Sequence, residues 1–362
     1  MSPNIVNCLV NVSEKAANIA RLMRQHDYLF SLLVQEKSID ESNSERFVHD
    51  YKTLADVLIQ QTIRHDVAAS FPELLNNIKG EESSTFTNSL GETVTIEVFD
   101  DQSDTSACLL KVLNGDSVAA ELLAEEVHKT VDTNMDSIPD LPDGLNYSNM
   151  GIWVDPIDAT EEYIRGASIS SCSSQETRVP TSGLGCVTVL IGGYDIESGK
   201  PIVGVINQPF AELTDTGYKG KIVWGVNMDA VRVTNLPQTN PKSTKLAVLS
   251  SSEDEKYIKA LKDLGYGIIF SAGAGHKILK VITGDADLYL LSKNTTFKWD
   301  TCGPQAILNA IEGGLFKIEE IIESGQIVEV DYDDERSNMN EGGLLALRRE
   351  EKHILQDLYN KK

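Results

Sequence analysis

Two aspartates, Asp155 and Asp158, lie three residues apart at the end of an apolar stretch, in the sequence WVDPIDATEEYI. A proline stands between them, and together with the backbone carbonyl of Ile157 they offer three oxygen ligands from one tight turn. Mg²⁺ prefers oxygen ligands in near-octahedral geometry and keeps some of its waters. This turn is therefore a candidate magnesium site.

Other acidic residues occur at similar places in the chain. Glu81 and Glu82 follow a short predicted strand in GEES, Asp300 leads into a predicted helix in WDTCGP, and Asp56 begins one in TLAD. Ligand sites of α/β proteins gather at the carboxyl ends of strands. Carboxylates shared between ions a few ångströms apart give a two-metal site for in-line displacement at phosphorus. The joint pattern favours phosphate chemistry.

Each acidic motif also has a structural interpretation. Asp-Pro commonly opens a turn, and Asp158 or Thr160 could cap the helix that follows. Asp300 could be a helix N-cap, with proline tolerated in the first turn. Thr53-x-x-Asp56 resembles a capping box in which aspartate replaces glutamate. The acids of GEES could be solvated turn residues.

The overall charge restricts the partners. The 362 residues include 32 basic and 55 acidic side chains, which gives a net charge of −23 and a pI near 4.6. Such a surface disfavours nucleic acid and anionic membranes, so we predict neither as a partner. It would also repel a phosphorylated substrate. Clustered carboxylates that gather Mg²⁺ would solve this problem, because the ions then bind the phosphate.

Hydrophobic periodicity predicts the elements that must position these residues. The three- and four-residue spacing indicates a helix over residues 13–36 with Ser13 as N-cap, and a second helix from Thr53 to about His65. Residues 151–155 and several segments between 184 and 234 are predicted strands, and strands alternate with helices from 245 to 313. We therefore predict an α/β protein with several sheets.

The same pattern indicates how the chain is organised. A polar stretch near residues 235–244 separates the strand-rich part from the alternating part, and we predict two halves, 1–235 and 236–362. Residues 166–182 are rich in serine and threonine and are predicted to form a mobile surface segment.

Cysteine usage and hydropathy indicate the compartment. The five cysteines are widely spaced without a CxxC pair, which indicates reduced thiols of a cytoplasmic protein rather than a zinc cluster. The first residues lack a basic region followed by a long apolar run, so we expect no signal peptide. No stretch approaches the ~20 apolar residues of a membrane span.

Three motifs in the right order resemble one superfamily. WVDPIDATEEYI is similar to the first signature of the lithium-sensitive, magnesium-dependent phosphomonoesterases, the superfamily of inositol monophosphatase, and WDTCGPQAILNAIEGG is similar to the second. GEES is similar to the glutamate motif. VSEKAANIARLMRQ, DYKTLADVLIQ, GVINQPF, GAGHK and TTFKWDTC resemble the members that hydrolyse inositol polyphosphates. The resemblance implies a layered α/β/α/β/α sandwich of the sugar phosphatase type.

The resemblance also implies a metal centre and a mechanism. Two or three Mg²⁺ ions are expected on Glu81, Glu82, Asp155, the Ile157 carbonyl, Asp158 and Asp300. Thr160, with Glu81 and Asp56 behind it, is expected to orient and deprotonate the attacking water. No covalent phosphoenzyme is expected, and Li⁺ is expected to inhibit by replacing one Mg²⁺ without supplying its charge.

Substrate binding is implied for Asp158, Ala159, Thr160, Ser252, Gly273, Ala274 and Lys277. The turn SAGAGHK leads into a helix whose N–H groups can bind an anion, and Lys277 can pair with a second phosphate. The alternative is a helix packed tightly through its small residues, and Ser252 could merely cap. The chain departs from the family pattern at two positions. Ala159 stands where the family usually has glycine or serine, and Glu312 stands where it usually has glycine.

The activity implied is removal of the 1-phosphate from inositol 1,4-bisphosphate and inositol 1,3,4-trisphosphate by a monomer. One alternative is a 3′-phosphoadenosine 5′-phosphate nucleotidase, although nucleotidases of the superfamily usually carry a glutamine-containing variant of the TLAD stretch. The other is a non-catalytic protein that binds inositol phosphates or cations.

Overall fold

The computed structural model describes residues 4–26, 29–30, 34–36, 51–88, 90–133, 138, 146–168, 179–228, 231–237, 244–333 and 337–359. The serine- and threonine-rich segment predicted to be mobile lies outside the described residues between 169 and 178.

The described residues form both helices and strands along the whole chain. The α-helices that we number within the described ranges are α1 (Ile5–Gln25), α2 (Leu54–Ser70), α3 (Gln102–Val112), α4 (Ser117–His128), α5 (Thr160–Arg165), α6 (Glu255–Asp263), α7 (Ala274–Thr283), α8 (Lys298–Ala310), α9 (Ile318–Ser324) and α10 (Ile354–Tyr359). The strands there are β1 (Val34–Glu36), β2 (Tyr51–Thr53), β3 (Ile78–Gly80), β4 (Thr85–Thr87), β5 (Thr93–Thr95), β6 (Met150–Asp158), β7 (Thr188–Asp195), β8 (Pro201–Thr214), β9 (Gly217–Met228), β10 (Val231–Thr234), β11 (Leu246–Leu249), β12 (Gly267–Phe270), β13 (Leu288–Leu291), β14 (Gly314–Lys317) and β15 (Leu344–Leu347).

The first helix begins earlier than predicted. Asn4 is its N-cap, and its side-chain Oδ1 accepts hydrogen bonds from the N–H groups of Val6 at 2.9 Å and Asn7 at 3.3 Å. Ser13 was predicted as the cap and is instead fully buried in mid-helix, where its hydroxyl donates to the Val10 carbonyl at 2.7 Å. A serine in a helix interior satisfies its hydroxyl on the preceding turn, so its presence alone does not mark a helix start.

The larger sheet has six strands in the order β10-β9-β8-β7-β6-β3. Neighbouring strands are antiparallel except β3 and β6, which are parallel. All nine residues of β6 are buried, because helices cover both faces of the sheet at this strand. Successive side chains therefore enter different cores, with Ile152 and Val154 on one side and Trp153 on the other.

The smaller sheet has five strands in the order β12-β11-β13-β15-β14. The first three are parallel, and β15 is antiparallel to both of its neighbours. Helices connect the parallel strands, as βαβ units require, because parallel strands cannot be joined by a tight turn.

Three apolar cores hold five layers together. The first core joins α1, α2 and α4 to the outer face of the larger sheet. The second fills the space between the two sheets around α7 and α8, and the third packs α6, α9 and α10 on the far face of the smaller sheet. The result is the predicted α/β/α/β/α sandwich, and the predicted fold class is confirmed.

The two sheets divide the sequence in a simple way. Every strand of the six-stranded sheet precedes residue 235, and every strand of the five-stranded sheet follows residue 244. A division into halves at 235/236 stays a prediction, because α8 packs between both sheets. Among the described residues, no helix is both long and apolar enough to cross a membrane.

Candidate active site

The end of β6 places the first two aspartates. Asp155 pairs with Leu190 on β7, while Asp158 pairs with Thr188, so β6 carries one extra residue between the two pairs. A bulge of this kind bends a strand and redirects its side chains. The turn is further fixed because the Asp155 carboxylate accepts a hydrogen bond from the Ile157 N–H at 3.1 Å.

The turn continues into α5 through a residue in the left-handed conformation.

 Ala159 has φ 67° and ψ 47°, and Thr160 is the first residue of the helix. This conformation favours glycine, which explains why glycine is common here in the family that the motif resembles. The Thr160 hydroxyl donates to the Ile157 carbonyl at 3.0 Å, which fixes it beside that predicted metal ligand.

The third aspartate comes from α8, the helix between the two sheets. Asp300 is the third residue of this helix, and its carboxylate accepts a hydrogen bond from the Phe297 N–H at 2.6 Å. The N-cap position belongs to Phe297, so the expectation that Asp300 itself could occupy it is wrong. Asp300 nevertheless caps the helix from inside it.

The three aspartates form one buried cluster. Ligand oxygens of Asp155, Asp158 and Asp300 all lie within 4.8 Å of one another, and the residues are 1%, 7% and 8% exposed. Burial raises the pKa of Asp155 and of Asp300, and repulsion from Glu81 and Asp158 raises both further. A buried set of carboxylate oxygens without histidine or cysteine fits a hard divalent cation such as Mg²⁺.

Asp158 differs from the other two because it also holds a distant helix. Its carboxylate accepts hydrogen bonds from the N–H groups of Ala274 at 3.2 Å, Gly275 at 2.9 Å and His276 at 3.4 Å, at the start of α7. Burial raises the pKa of Asp158, and Lys277 opposes that change. The interpretation that Asp158 caps the helix following it is wrong, because its carboxylate instead caps α7, more than a hundred residues further along the chain.

Gly273 allows this close approach. It has φ 75°, and a Cβ atom there would lie 2.9 Å from both the Asp158 carboxylate and the Cys186 carbonyl. Any larger residue would push α7 away from the cluster.

Glu81 and Glu82 follow β3 at the same end of the larger sheet. The Glu81 N–H donates to the Val154 carbonyl at 3.1 Å, and this residue faces the cluster closely enough to raise the pKa of Asp155. Glu82 is buried behind it, with its N–H donating to Gln60 Oε1 at 2.9 Å. The metal-ligand roles of both glutamates stay predictions.

Asp56 forms the capping box that its sequence indicated. Its carboxylate accepts from the Thr53 N–H at 2.6 Å, and its own N–H donates to the Thr53 hydroxyl at 3.4 Å. Asp56 is 1% exposed. Burial raises the pKa of Tyr163 on α5, the helix that Thr160 begins, and the charge of Asp56 raises it further. The structural role is established by these contacts, while the catalytic role stays a prediction.

One cavity of about 570 Å³ collects most of the predicted site residues. Its lining includes Glu81, Asp155, Ile157, Asp158, Ala159, Thr160, Ser252, Gly273, Ala274, Lys277 and Asp300. Asp56 and Glu82 lie outside this lining. Residues from both parts of the sequence, some more than two hundred positions apart, therefore meet around one cavity.

Lys277 supplies a buried cation to the cavity. It is 4% exposed, its Nζ donates to the Ser271 carbonyl at 3.2 Å, and the same atom lies 5.4 Å from the centre of the Tyr289 ring. Burial lowers its pKa to about 8, although the neighbouring Asp158 opposes this. A partly desolvated ammonium group beside a cavity can pair strongly with an anionic ligand.

Ser252 lies at the exposed edge of the cavity and does not cap α6. The N-cap position is Asp254, and its side chain makes no capping hydrogen bond. The sequence did not indicate two further features of this region. Lys293 also lines the cavity, and its Nζ contacts the Ser252 carbonyl, while Thr188 contacts Asp158 from behind.

Comparisons with known proteins show the family and the fold of the chain. The family described as "Inositol monophosphatase family" matches residues 5–361. The chain is 41% identical over 370 residues to inositol polyphosphate 1-phosphatase of Mus musculus, covering 94% of this chain and 92% of the relative. It is 28% identical over 305 residues to human 3′(2′),5′-bisphosphate nucleotidase 1, covering 83% and 80%. A crystal structure of IMPase/NADP phosphatase complexed with Mg²⁺ and phosphate matches with TM-score 0.52 and 12% identity, over 94% of this chain and 90% of that one.

Proposed function

The chain belongs to the inositol monophosphatase family and is a phosphatase, and we propose that it removes the 1-phosphate from inositol 1,4-bisphosphate and inositol 1,3,4-trisphosphate in a Mg²⁺-dependent reaction. The observation that carries this proposal is the buried cluster of Asp155, Asp158 and Asp300, which opens into the same cavity as Lys277. With Mg²⁺ bound, the cluster would hold the reacting phosphate, and the lysine would pair with a second phosphate.

We propose that two or three Mg²⁺ ions are held by the aspartate cluster together with Glu81, Glu82 and the Ile157 carbonyl. When bound, the ions would supply positive charge to the phosphoryl oxygens and lower the pKa of water. The cluster supports this because its carboxylates repel one another when no cation is present.

The chain's own residues would bind and orient the reactants. The Thr160 hydroxyl, fixed at 3.0 Å from the Ile157 carbonyl, would orient the attacking water, and Glu81 with Asp56 behind it would take the proton. Ala159 and Asp158 would contact the substrate beside it. The attack is in line at phosphorus, and no residue is proposed to form a covalent phosphoenzyme.

The second phosphate would select the substrate. Lys277, Gly273 and Ala274 line the cavity beside the acidic turn, and Ser252 lies at its exposed edge. The N–H groups at the start of α7 already donate to Asp158, so the Lys277 ammonium group would be the main contact of the second phosphate. An inositol bisphosphate can place one phosphate at the cluster and another at the ammonium group. The similarity to inositol polyphosphate 1-phosphatases over most of both chains supports this choice over a nucleotidase.

The experiment that tests the proposal compares three substrates side by side. Phosphate release is measured from inositol 1,4-bisphosphate, inositol 1-phosphate and 3′-phosphoadenosine 5′-phosphate, each with Mg²⁺, with EDTA and with added Li⁺. We expect preference for the inositol bisphosphate, loss of activity in EDTA and inhibition by Li⁺. Preference for the nucleotide would keep the metal chemistry and refute the substrate, and no release from any substrate would favour a binding protein.

Replacement of one ligand tests the metal assignment. Asp158→Asn removes a charge from the cluster and leaves a side chain of the same shape, so we expect turnover to fall by at least about 10³-fold. The exposed Asp254 lies at the start of α6 without a capping bond, and Asp254→Asn should keep activity within about twofold. Retained turnover in Asp158→Asn would show that this residue holds no essential ion.

The remaining predictions concern the state of the protein in the cell. We propose a cytoplasmic monomer whose partner is the free inositol phosphate, without a nucleic-acid or membrane partner. Light scattering on the purified chain tests whether it is a monomer, and cell fractionation tests whether it is cytoplasmic.

A further inference from the structure

Thr188 is a buried residue behind the aspartate cluster, and the proposed reaction assigns it no role. It begins β7, is fully buried and lies directly opposite Asp158 in the strand register. Its hydroxyl donates to Asp158 Oδ2 at 3.1 Å. Thr188 does not line the cavity, so its hydroxyl acts on the carboxylate from the side away from the substrate.

The two oxygens of Asp158 are not used equally. Oδ2 receives the Thr188 hydroxyl at 3.1 Å and the N–H groups of Gly275 at 2.9 Å and His276 at 3.4 Å. Oδ1 receives only one of these protein hydrogen bonds, from the Ala274 N–H at 3.2 Å. Each carboxylate oxygen offers about two lone pairs, so Oδ2 is saturated while Oδ1 keeps one for a cation.

Packing holds the donors where they are. A Cβ atom on Gly275 would lie 2.5 Å from the Leu190 side chain and 2.9 Å from the Thr188 hydroxyl, so the start of α7 is in tight contact with β7. Thr188 and α7 therefore confine the same oxygen from two elements. Groups that orient a ligating carboxylate in this way affect metal affinity without touching the metal.

We propose that Thr188 is a positioning residue for the metal centre: with the N–H groups of α7 it occupies Oδ2 of Asp158 and directs Oδ1 toward Mg²⁺. This inference rests on the proposed function, because it assumes that Asp158 is a magnesium ligand. It adds a residue outside the acidic motifs, and it predicts that one oxygen of Asp158 binds the ion.

The test compares variants that keep or remove the hydroxyl. Thr188→Val and Thr188→Ala remove it, and Thr188→Ser keeps it. Thr62→Val replaces an equally buried threonine whose hydroxyl donates to the Leu58 carbonyl and not to an aspartate of the cluster. Mg²⁺ binding to each protein is measured by calorimetry without substrate. The Mg²⁺ concentration for half-maximal activity and the substrate KM at saturating Mg²⁺ are measured in parallel.

We expect Thr188→Val and Thr188→Ala to weaken Mg²⁺ binding by about 10–100-fold, because partners of ligating residues typically have effects of this size. Thr188→Ser and Thr62→Val should stay within about threefold of the wild type, and the substrate KM should change less than the Mg²⁺ constant in every variant. A merely structural role would lower thermal stability and leave the Mg²⁺ constant unchanged, and that result would overturn the inference.

The two proposals fail in different ways. If the wild-type protein neither binds Mg²⁺ nor releases phosphate, the proposed function is wrong and Thr188 has no metal to serve. If the wild type binds Mg²⁺ normally and Thr188→Val binds it equally well, the function stands and the role of Thr188 is refuted. Weak binding in Thr188→Ser as well as Thr188→Val would also refute it, because the hydroxyl would not be the cause.

Discussion

We propose that the charge of Lys277 decides which ligands the cavity binds. The cavity lining includes several carboxylates, and Lys277 is the buried cation among them. Its ammonium group donates to the Ser271 carbonyl and lies near Asp158, so burial is only partly offset. A group in this state gains more from a second phosphate than an exposed lysine does.

Replacing Lys277 should separate substrates by their number of phosphates. Loss of a hydrogen bond to a charged group costs roughly 1.5–3 kcal/mol, which corresponds to about 10–100-fold in KM. We expect Lys277→Met to raise KM for inositol 1,4-bisphosphate by this factor and to change KM for inositol 1-phosphate by less than about threefold. Lys280→Met is the control, because Lys280 lies on the same helix and pairs with Asp285 instead. Equal effects on both substrates would refute a second-phosphate role.

The lowered pKa of Lys277 gives the same interaction a pH dependence. Its pKa is about 8, so the side chain is charged below that pH and becomes neutral as the pH rises through it. KM for the bisphosphate should therefore rise above about pH 8 in the wild type. Lys277→Arg keeps its charge over this range and should remove the rise.

Among the elements, the end of α8 explains one departure from the family pattern. The helix ends at Ala310, and Glu312 follows in a left-handed conformation with φ 61°. The Gly313 N–H donates to the Leu308 carbonyl at 2.8 Å, and the Glu312 N–H donates to Asn309 at 3.0 Å. This is a Schellman motif, whose left-handed position normally belongs to glycine.

Glu312→Gly should therefore stabilise the protein. A left-handed non-glycine residue costs roughly 1–2 kcal/mol, and the greater freedom of glycine in the unfolded chain offsets part of the gain. We expect a net increase of about 0.5–1 kcal/mol in the free energy of unfolding, measured by urea denaturation. Glu312 pairs with Arg349, but both side chains are largely exposed, so the lost ion pair should matter little.

Glu312→Ala is the matched control for this change. It removes the same ion pair and keeps the left-handed strain, so its stability should stay close to that of the wild type. If Ala and Gly stabilise equally, relief of strain is not the cause.

The elements also show how far sequence reasoning reaches. A short strand before Glu81 and a strand over residues 151–155 are predicted from local patterns, because apolar runs followed by turn residues mark a strand end; the observed β6 continues through its bulge to Asp158. The capping box at Asp56 was predicted for the same reason, since both of its partners lie within three residues. The hydrogen bonds that Asp158 accepts from Ala274 and Thr188 depend on helix packing and sheet register, which no local sequence pattern contains.

At the scale of the whole molecule, the cluster joins the two sheets. Asp155 and Asp158 end a strand of the larger sheet, while Asp300 begins the helix that packs between both sheets. The chain carries a net charge of −23, so three adjacent buried carboxylates add to an existing excess of negative charge. Mutual repulsion of these carboxylates lowers the stability of the metal-free fold, and the same repulsion favours the binding of a cation.

This repulsion predicts how metal and pH act on stability. The pKa of Asp155 and of Asp300 is raised in the folded chain. An acid with a raised pKa stabilises the fold fully below its unfolded pKa, near 4, and loses that contribution as the pH rises through the folded value. Without metal, the cluster should therefore destabilise the protein increasingly as the pH rises toward neutral and above, and Mg²⁺ should reverse this.

Asp300→Asn isolates the effect of the cluster from the other titrating groups. In EDTA near pH 8 we expect the variant to melt roughly 2–4 °C above the wild type, which corresponds to about 1 kcal/mol in a large domain. The advantage should shrink near pH 5, where the wild-type cluster takes up protons, and it should disappear in saturating Mg²⁺, because only the wild type gains from the ion. If Asp300→Asn is less stable than the wild type in EDTA at both pH values, the Phe297 hydrogen bond contributes more to stability than the repulsion removes. That result would refute the prediction that the metal-free cluster destabilises the fold.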